Sequence, residues 1–208
     1  MPKFYGVFSY HMKVFEKLRI VDLTLNIAGP YSTQILADLG ADVIKVEPPG
    51  GDPSREWGPP FWGDETPLFL SSNRNKRSII VDLKSDDGQG VVKRLVGESD
   101  VFVQAFRKGV IESLGFGYEC LRELYPGLVY ASITGFGSKG PLAEMPGYDP
   151  LIQAYSGMMS ITGDPDSPPA RCGAAVVDLG TGILTALGIL AALRERDNTG
   201  RGVHVETS

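Results

Sequence analysis

The sequence has few residues of the kinds that build disulfide frameworks or zinc sites. Cysteine occurs only as Cys120 and Cys172, and histidine only as His11 and His204. Neither residue type is spaced as in a metal motif or in a small disulfide-stapled domain. We therefore expect no metal centre and a reduced, cytoplasmic protein. The mildly basic start of the chain leaves organelle targeting open.

The usual nucleotide and serine-hydrolase motifs are also missing. The first strand–helix turn reads NIAGPY instead of a Gly-x-Gly-x-x-Gly fingerprint, and neither a P-loop nor a Gly-x-Ser-x-Gly elbow occurs. The formal net charge of −5 argues against a general nucleic-acid binder. An anionic ligand is still compatible with the sequence, because a local basic patch is enough to bind it.

One apolar run, VVDLGTGILTALGILAAL at residues 176–193, is about long enough to span a membrane. Asp178 and three glycines interrupt this run, and no other segment resembles it. We therefore expect the helix of a globular fold at this position, and no membrane association.

Short β-branched runs alternate with segments of helical periodicity along most of the chain. This alternation predicts an α/β protein with an open, doubly wound, mostly parallel Rossmann-like sheet. We expect residues 1–17 to form an N-terminal extension and residues 18–208 to form the domain. Strands are predicted at 19–25, 42–47, 77–83, 100–106, 128–137 and 203–208, helices at 28–40, 86–99, 118–127, 149–163 and 182–197, and a long loop at 48–67.

Asp178 stands at the mouth of the last predicted helix, and two interpretations of it remain open. Asp is a favoured N-cap, because its carboxylate accepts the unpaired backbone N–H groups of the first turn. The same place would keep it ionised, and an ionised carboxylate is a competent nucleophile. Gly173, Gly180 and Gly182 would leave backbone room for a substrate.

A cluster of cations flanks the third predicted strand. Arg74, Lys76 and Arg77 precede or begin this strand, and Lys84 follows its far end. Such cations can hold phosphate groups, or they can protect an edge strand against aggregation. Charge alone does not separate these two interpretations.

Several longer motifs together resemble the class III CoA-transferases, the superfamily that also contains the α-methylacyl-CoA racemases. The resemblance runs from about residue 18 to the end of the chain. Its motifs are AGPYSTQILADLGADVIKVEPPGGDPSR, NRNKRSIIVDLK, SITGFGSKGP, GYDPLIQAYSG and TALGILAALRERDNTGRG.

The resemblance implies a role for several residues. Asp178 matches the catalytic aspartate, which attacks an acyl-CoA thioester and becomes an aspartyl-CoA thioester before CoA passes to a carboxylic acid. Lys84 matches a CoA-contacting lysine, and Asn75, Lys76 and Arg77 match the nucleotide-side cluster. Coenzyme A would thus be part of the substrate, with no metal required.

Three positions depart from the patterns of particular family members. Tyr148 stands where the racemases have a histidine, and tyrosine is a poor base near pH 7, which favours a transferase over a racemase. Ile27 and Ala105 replace a glutamine and an asparagine of formyl-CoA transferase. These apolar residues make oxalate doubtful as the acid and favour a dicarboxylate such as succinate or glutarate, or a larger acid.

Family members are roughly twice as long and form interlocked dimers. By this resemblance the chain is the CoA-binding Rossmann-like half, and a second, smaller domain is missing from it. We therefore expect either a homodimer or a partner that carries the other half. Alternatives to the transferase are an acyl-CoA racemase or isomerase and a non-catalytic CoA-binding half-enzyme.

Overall fold

The computed structural model describes residues 14–208. Its six strands form one parallel sheet in the order β3-β2-β1-β4-β5-β6, which confirms the predicted open α/β fold. Of the predicted extension, residues 1–13 lie outside the described part, whereas Phe15 packs against the core. The strands are β1 (Arg19–Asp22), β2 (Asp42–Glu47), β3 (Lys76–Ile80), β4 (Val101–Gln104), β5 (Val129–Ile133) and β6 (His204–Thr207).

Helices cover both faces of the sheet. Along β1, Ile20 joins the apolar cluster on one face and Val21 the cluster on the other, as the alternation of side chains in a strand requires. The first cluster includes residues of α1 and α7, and the second includes residues of α3 and α5. The helices are α1 (Ala28–Asp38), α2 (Pro67–Asn73), α3 (Asp86–Gly97), α4 (Val110–Ser113), α5 (Tyr118–Leu124), α6 (Asp149–Tyr155) and α7 (Val176–Thr199).

The predicted loop at 48–67 contains regular structure that its composition conceals. A 3-10 turn spans Pro53–Glu56, where the Asp52 carboxylate accepts the N–H of Ser54. Helix α2 then begins at Pro67, because the Thr66 hydroxyl accepts the N–H of Phe69. Both elements follow the pattern of a capping side chain before a proline, which suits the first turn of a helix.

Two predicted helices have different limits in the structure. The helix expected at 149–163 ends at Tyr155, because Gly157 takes a positive φ of 81° and a separate 3-10 turn, Met158–Ile161, follows it. Helix α7 begins at Val176, six residues before the predicted start at Gly182. The early start places Asp178 inside the helix instead of ahead of it.

Helix α7 is 24 residues long, and an 18-residue stretch of it has a mean hydropathy of 2.0, which meets the length and composition of a membrane span. In the described part of the chain, one of its faces packs on α1 and on the sheet, where Ile189 is fully buried. Its opposite face exposes Ile183, Leu184 and Leu187 by 52%, 60% and 60%.

Strand order reverses between β1 and β4, which are neighbours at the centre of the sheet. Connections leave these two strands toward opposite faces, so a crevice opens at their carboxyl ends. Helix α7 approaches this crevice closely, since a Cβ atom at Gly182 would lie 2.7 Å from the carbonyl oxygen of Ala28. The first turn of α7 therefore lies beside the connection from β1 to α1.

Candidate active site

A cavity of about 320 Å³ occupies the crevice at the carboxyl ends of β1, β4 and β5. The β1–α1 loop, the residues after β4, the approach to α6 and the first turn of α7 line it. Asp178 reaches the cavity from α7. The residue singled out from sequence thus lies at the place where open α/β sheets bind ligands.

Asp178 does not cap its helix, so the capping interpretation is wrong. The N-cap position belongs to Ala175, and Asp178 is the third residue of the first turn. The carboxylate of Asp149 supplies the cap instead, because its Oδ2 accepts the N–H groups of Val177 at 2.8 Å and Asp178 at 3.2 Å. The side chain of Asp178 is therefore released from local hydrogen bonding to its own helix.

The electrostatic setting of Asp178 also differs from the expectation that the helix end would favour its ionised form. Burial, and after it the negative charge of Asp149, raise the pKa of Asp178 to about 6. Desolvation thus outweighs the favourable field of the helix N-terminus. The carboxylate form still predominates at pH 7, but it is poorly solvated, which suits a nucleophile.

Asp149 is itself held in place by a buried side chain. It is 6% exposed, and the Gln153 amide donates to its Oδ1. The Gln153 Oε1 in turn accepts the N–H of Cys172 at 2.8 Å. This chain of contacts ties α6 to the segment that leads into α7, and it fixes the backbone that presents Asp178.

The three glycines around Asp178 have different surroundings. A Cβ atom at Gly173 or Gly180 would meet nothing within 4 Å, so these two positions are open as expected. Gly182 does not leave room for a substrate, because it packs against Ala28 and Tyr31 of α1. Its hydrogen side chain instead permits the close approach of two helices.

The substrate-side candidates do converge on this cavity. Ile27, from the β1–α1 loop, and Tyr148, directly before α6, both line it together with Asp178. Ala105, after β4, completes the apolar wall that the sequence indicated, and Trp57 of the long loop joins it. Tyr148 is 58% exposed, so it is not the satisfied core aromatic that was the alternative.

The cation cluster lies elsewhere. Arg74 pairs with Asp38, and Asn75 donates to the same carboxylate at 2.8 Å. Arg77 pairs with Asp42 at 2.7 Å. These side chains surround the amino end of the edge strand β3, whereas the cavity lies at the carboxyl ends of other strands. None of them lines the cavity.

Lys76 points into the protein. Its side chain is 2% exposed, and its ammonium contacts the Asp22 carboxylate at 3.1 Å, the Pro30 carbonyl at 2.7 Å and the Asn73 amide oxygen at 2.9 Å. All three donors of the ammonium are thus used internally. Lys84, in contrast, is exposed beyond the end of β3. The CoA role of Asn75, Lys76, Arg77 and Lys84 stays a prediction.

Two cations that the sequence reasoning missed line the cavity. Arg107 and Lys108 follow β4 directly, on the opposite side of the crevice from β1. Their signal was positional, since they come directly after a strand that borders the reversal of strand order. Over residues 14–208, no group of three or more His, Cys, Asp or Glu side chains is arranged to hold a metal ion.

Comparison with known proteins decides the family. The sequence model of CoA-transferase family III matches residues 15–208. The chain belongs to this family. It is 47% identical to the succinyl-CoA:glutarate CoA-transferase of Mus musculus over 94% of this chain and 45% of that protein. The acetyl-CoA:oxalate CoA-transferase of Acetobacter aceti is 45% identical over 93% of this chain and 50% of that protein.

A solved structure agrees with this membership. A CaiB/BaiF family protein from Brucella suis superposes with a TM-score of 0.89 at 44% identity, over 92% of this chain and 52% of that one. The chain spans about half the length of the curated relatives that it matches.

Proposed function

We propose that this chain provides the nucleophile and part of the substrate cavity of an enzyme that moves CoA from an acyl-CoA to a carboxylic acid. The observation that carries the proposal is the setting of Asp178. Its carboxylate lines the cavity with a pKa raised to about 6, while Asp149 does the capping that would otherwise occupy it. Such a perturbed acid in a crevice is typical of catalytic groups.

The proposed reaction begins when an oxygen of Asp178 attacks the carbonyl carbon of the acyl-CoA thioester. The C–S bond breaks, CoA leaves as a thiolate, and a mixed anhydride remains on Asp178. The thiolate then attacks the aspartyl carbonyl carbon, which releases the first acid as a carboxylate and leaves an aspartyl-CoA thioester. The acceptor carboxylate repeats the two steps in reverse and departs as the new acyl-CoA, which restores the Asp178 carboxylate.

Arg107 and Lys108 are suited to bind the anionic part of CoA, because they are the cations at the cavity rim. Exposed Lys84 extends this role along the surface, as the family resemblance implies. Asn75 and Arg77 would contact the nucleotide only after exchanging their present carboxylate partners. Lys76 supports the fold in this structure.

The acceptor acid is proposed to be larger than oxalate, for example a C4 or C5 dicarboxylate. Ile27 and Ala105 give the cavity an apolar wall where a small, doubly charged acid would need polar partners. Overall identity does not decide this point, since relatives named for glutarate and for oxalate differ little in identity to the chain. Tyr148, as a poor base, continues to favour transfer over racemisation.

Partner and compartment are proposals, and the exposed face of α7 bears on the partner only. The exposed apolar stripe of Ile183, Leu184 and Leu187 is suited to contact with another chain or domain. We propose a homodimer or a partner that carries the other half of the relatives' length, in the cytoplasm. Residues 1–208 alone should then self-associate in light scattering over a dilution series, and Leu184→Lys with Leu187→Lys should weaken this. Monomers at every concentration would contradict the proposal.

Intact-mass measurement after mixing with succinyl-CoA tests the catalytic proposal. The complete protein should gain the mass of CoA less water, and Asp178→Asn should show no adduct while it still binds CoA. Glu144→Gln is a matched control, because Glu144 is an exposed carboxylate of the same cavity. Adduct formation in Asp178→Asn at the parent rate would refute the nucleophile assignment. Binding without any adduct in the parent protein would support the non-catalytic alternative.

A further inference from the structure

Two buried ion pairs lie beneath the cavity and belong to no step of the proposed reaction. Lys45 of β2 and Asp52 of the long loop are 1% and 0% exposed, and their Nζ and Oδ2 atoms are 2.7 Å apart. Lys76 and Asp22 form the second pair. None of these four residues lines the cavity. A buried ion pair adds little stability over an apolar pair of similar volume, so its presence calls for another explanation.

The Lys45–Asp52 pair holds the β1–α1 loop at two points. The Lys45 ammonium donates to the carbonyl oxygen of Thr24 at 2.8 Å. The Asp52 Oδ1 accepts the N–H of Asn26 at 3.2 Å. These two contacts bracket Leu25, which lines the cavity. The loop is thus attached on both sides of a cavity residue to one pair of buried charges.

The loop takes a backbone conformation that needs such support. Asn26 has a positive φ of 68°, which side-chain-bearing residues rarely adopt. Strained conformations of this kind persist only where the surroundings fix them, and they concentrate at functional sites. Asn26 and the next residue, Ile27, both line the cavity that Asp178 also lines.

Asp52 is built into its own rigid setting. Its Oδ1 also accepts the N–H of Ser54 at 2.9 Å and the Ser54 hydroxyl at 2.7 Å. Its backbone N–H donates to the Glu47 carboxylate at 2.7 Å. The Arg55 guanidinium donates to the Glu47 carboxylate. The Asp52 carboxylate that contacts the loop therefore belongs to a connected polar network.

We propose that Lys45 and Asp52 are positioning residues that hold the Thr24–Ile27 segment in the conformation that places Ile27 against the acceptor acid. They act through the loop backbone and do not touch substrate. The kinetic part of this inference rests on the proposed CoA transfer. Its structural part, the fixing of the loop by a buried charge pair, stands on the geometry alone.

The test removes the pair without leaving a lone buried charge. The double variant Lys45→Met with Asp52→Leu keeps similar side-chain volumes, so the complete protein should remain folded. Amide hydrogen exchange of Asn26 should accelerate at least about tenfold, since its acceptor is lost, whereas Val21 and Val103 in the sheet should exchange as before. Unchanged exchange at Asn26 in the folded variant would overturn the proposal, as would equal acceleration in the sheet.

Kinetics give the second readout. The KM for glutarate, used as acceptor, should rise about tenfold while the dissociation constant of free CoA stays within about twofold of the parent, because the loosened loop would contact the acid that reacts at Asp178 and not the CoA moiety. Equal losses in the affinity for free CoA and in the KM for glutarate would contradict a positioning role. If the parent forms no adduct, CoA transfer fails but the exchange measurement still decides the structural part.

A control variant addresses the general effect of removing an ion pair. Arg196 and Asp100 form a partly buried pair at 2.9 Å, between α7 and the start of β4. Arg196→Met with Asp100→Asn removes both charges, while the new amide oxygen can still accept the N–H of Arg19. This variant should leave amide exchange at Asn26 and the KM for glutarate unchanged. If it changed both as much as the Lys45 and Asp52 variant does, the inference would be wrong.

Discussion

Asp22, the last residue of β1, and Asp178, in the first turn of α7, are aspartates whose pKa values shift in opposite directions. Burial raises the pKa of both side chains. At Asp22 the charges of Lys76 and Lys45, together with hydrogen bonds from Thr24 and Thr33, outweigh burial and lower the pKa to about 2. At Asp178 the negative charge of Asp149 adds to the effect of burial, and the pKa rises to about 6. Asp22 thus belongs to a buried ion pair, whereas the Asp178 carboxylate lies beside a like charge.

The largest effect on the free energy of unfolding is expected when the negative charge of Asp22 is removed from its ion pair. Asp22→Asn leaves Lys76 buried without its counter-charge, although the amide can still accept from Thr24. Uncompensated buried charges of this kind cost roughly 3–5 kcal/mol in the free energy of unfolding. Urea unfolding of the parent and of Asp22→Asn at pH 7.5 measures this loss in the free energy of unfolding. A loss below about 1 kcal/mol would show that the pair is not a structural element.

A change of the opposite sign in the free energy of unfolding is expected when the negative charge of Asp178 is removed. Asp178→Asn removes a charge that folding has partly desolvated, so the free energy of unfolding should increase at pH 7.5. A shift of two pKa units corresponds to about 3 kcal/mol, and partial exposure reduces this to roughly 1–2 kcal/mol. The raised pKa means that the carboxyl costs no stability below the unfolded pKa of 3.8, that the cost grows as the pH rises from there to about 6, and that it is complete above pH 6.

The gain in stability from Asp178→Asn should therefore be small at pH 4 and complete at pH 7.5. Urea unfolding of both proteins at the two pH values checks this, since the other titrating groups are common to them. If the variant and the parent differed in the free energy of unfolding by the same amount at pH 4 and at pH 7.5, the raised pKa would be contradicted. A loss of stability at pH 7.5 would mean that the Asp178 carboxylate has a stabilising partner.

Sequence reasoning predicted the fold and singled out Asp178 as a candidate, but it did not predict the contacts that set the pKa of Asp178. The predicted strand at 42–47 coincides with β2, because alternating apolar residues and flanking turns are local signals. Asp178 was found through its motif. The capping by Asp149 was missed, because that contact joins residues 29 positions apart and depends on how α6 packs against α7.

The fate of Lys76 shows the same limit for charges. A lysine at the start of an edge strand is usually exposed, and its three basic or polar neighbours strengthened that expectation. The structure turns its side chain inward because Asp22, Asn73 and the Pro30 carbonyl together satisfy the ammonium. Those acceptors come from three separate segments, so no local pattern could have revealed them.

The smallest expected effect concerns the carboxylate neighbour of Asp178. Asp149→Asn removes a negative charge while the amide oxygen can still accept the N–H groups of Val177 and Asp178, at the loss of the hydrogen bond that the Gln153 amide donates to the other oxygen of Asp149. Because burial is the larger cause of the raised pKa, only part of the shift should disappear. The acid limb of adduct formation, expected near pH 6 in the parent, should move down by less than about one pH unit.

Single-turnover adduct formation from succinyl-CoA between pH 4.5 and pH 8 measures that limb, with Glu144→Gln as the control. Glu144 lines the same cavity but contributes nothing to the shift of Asp178, so its variant should keep the parent profile. An unmoved limb in Asp149→Asn would assign the raised pKa to burial alone. A limb that moves upward would mean that the Asp149 charge, through the helix end it caps, favours the ionised form of Asp178, and the comparison between the two aspartates would then rest on Lys45 and Lys76 alone.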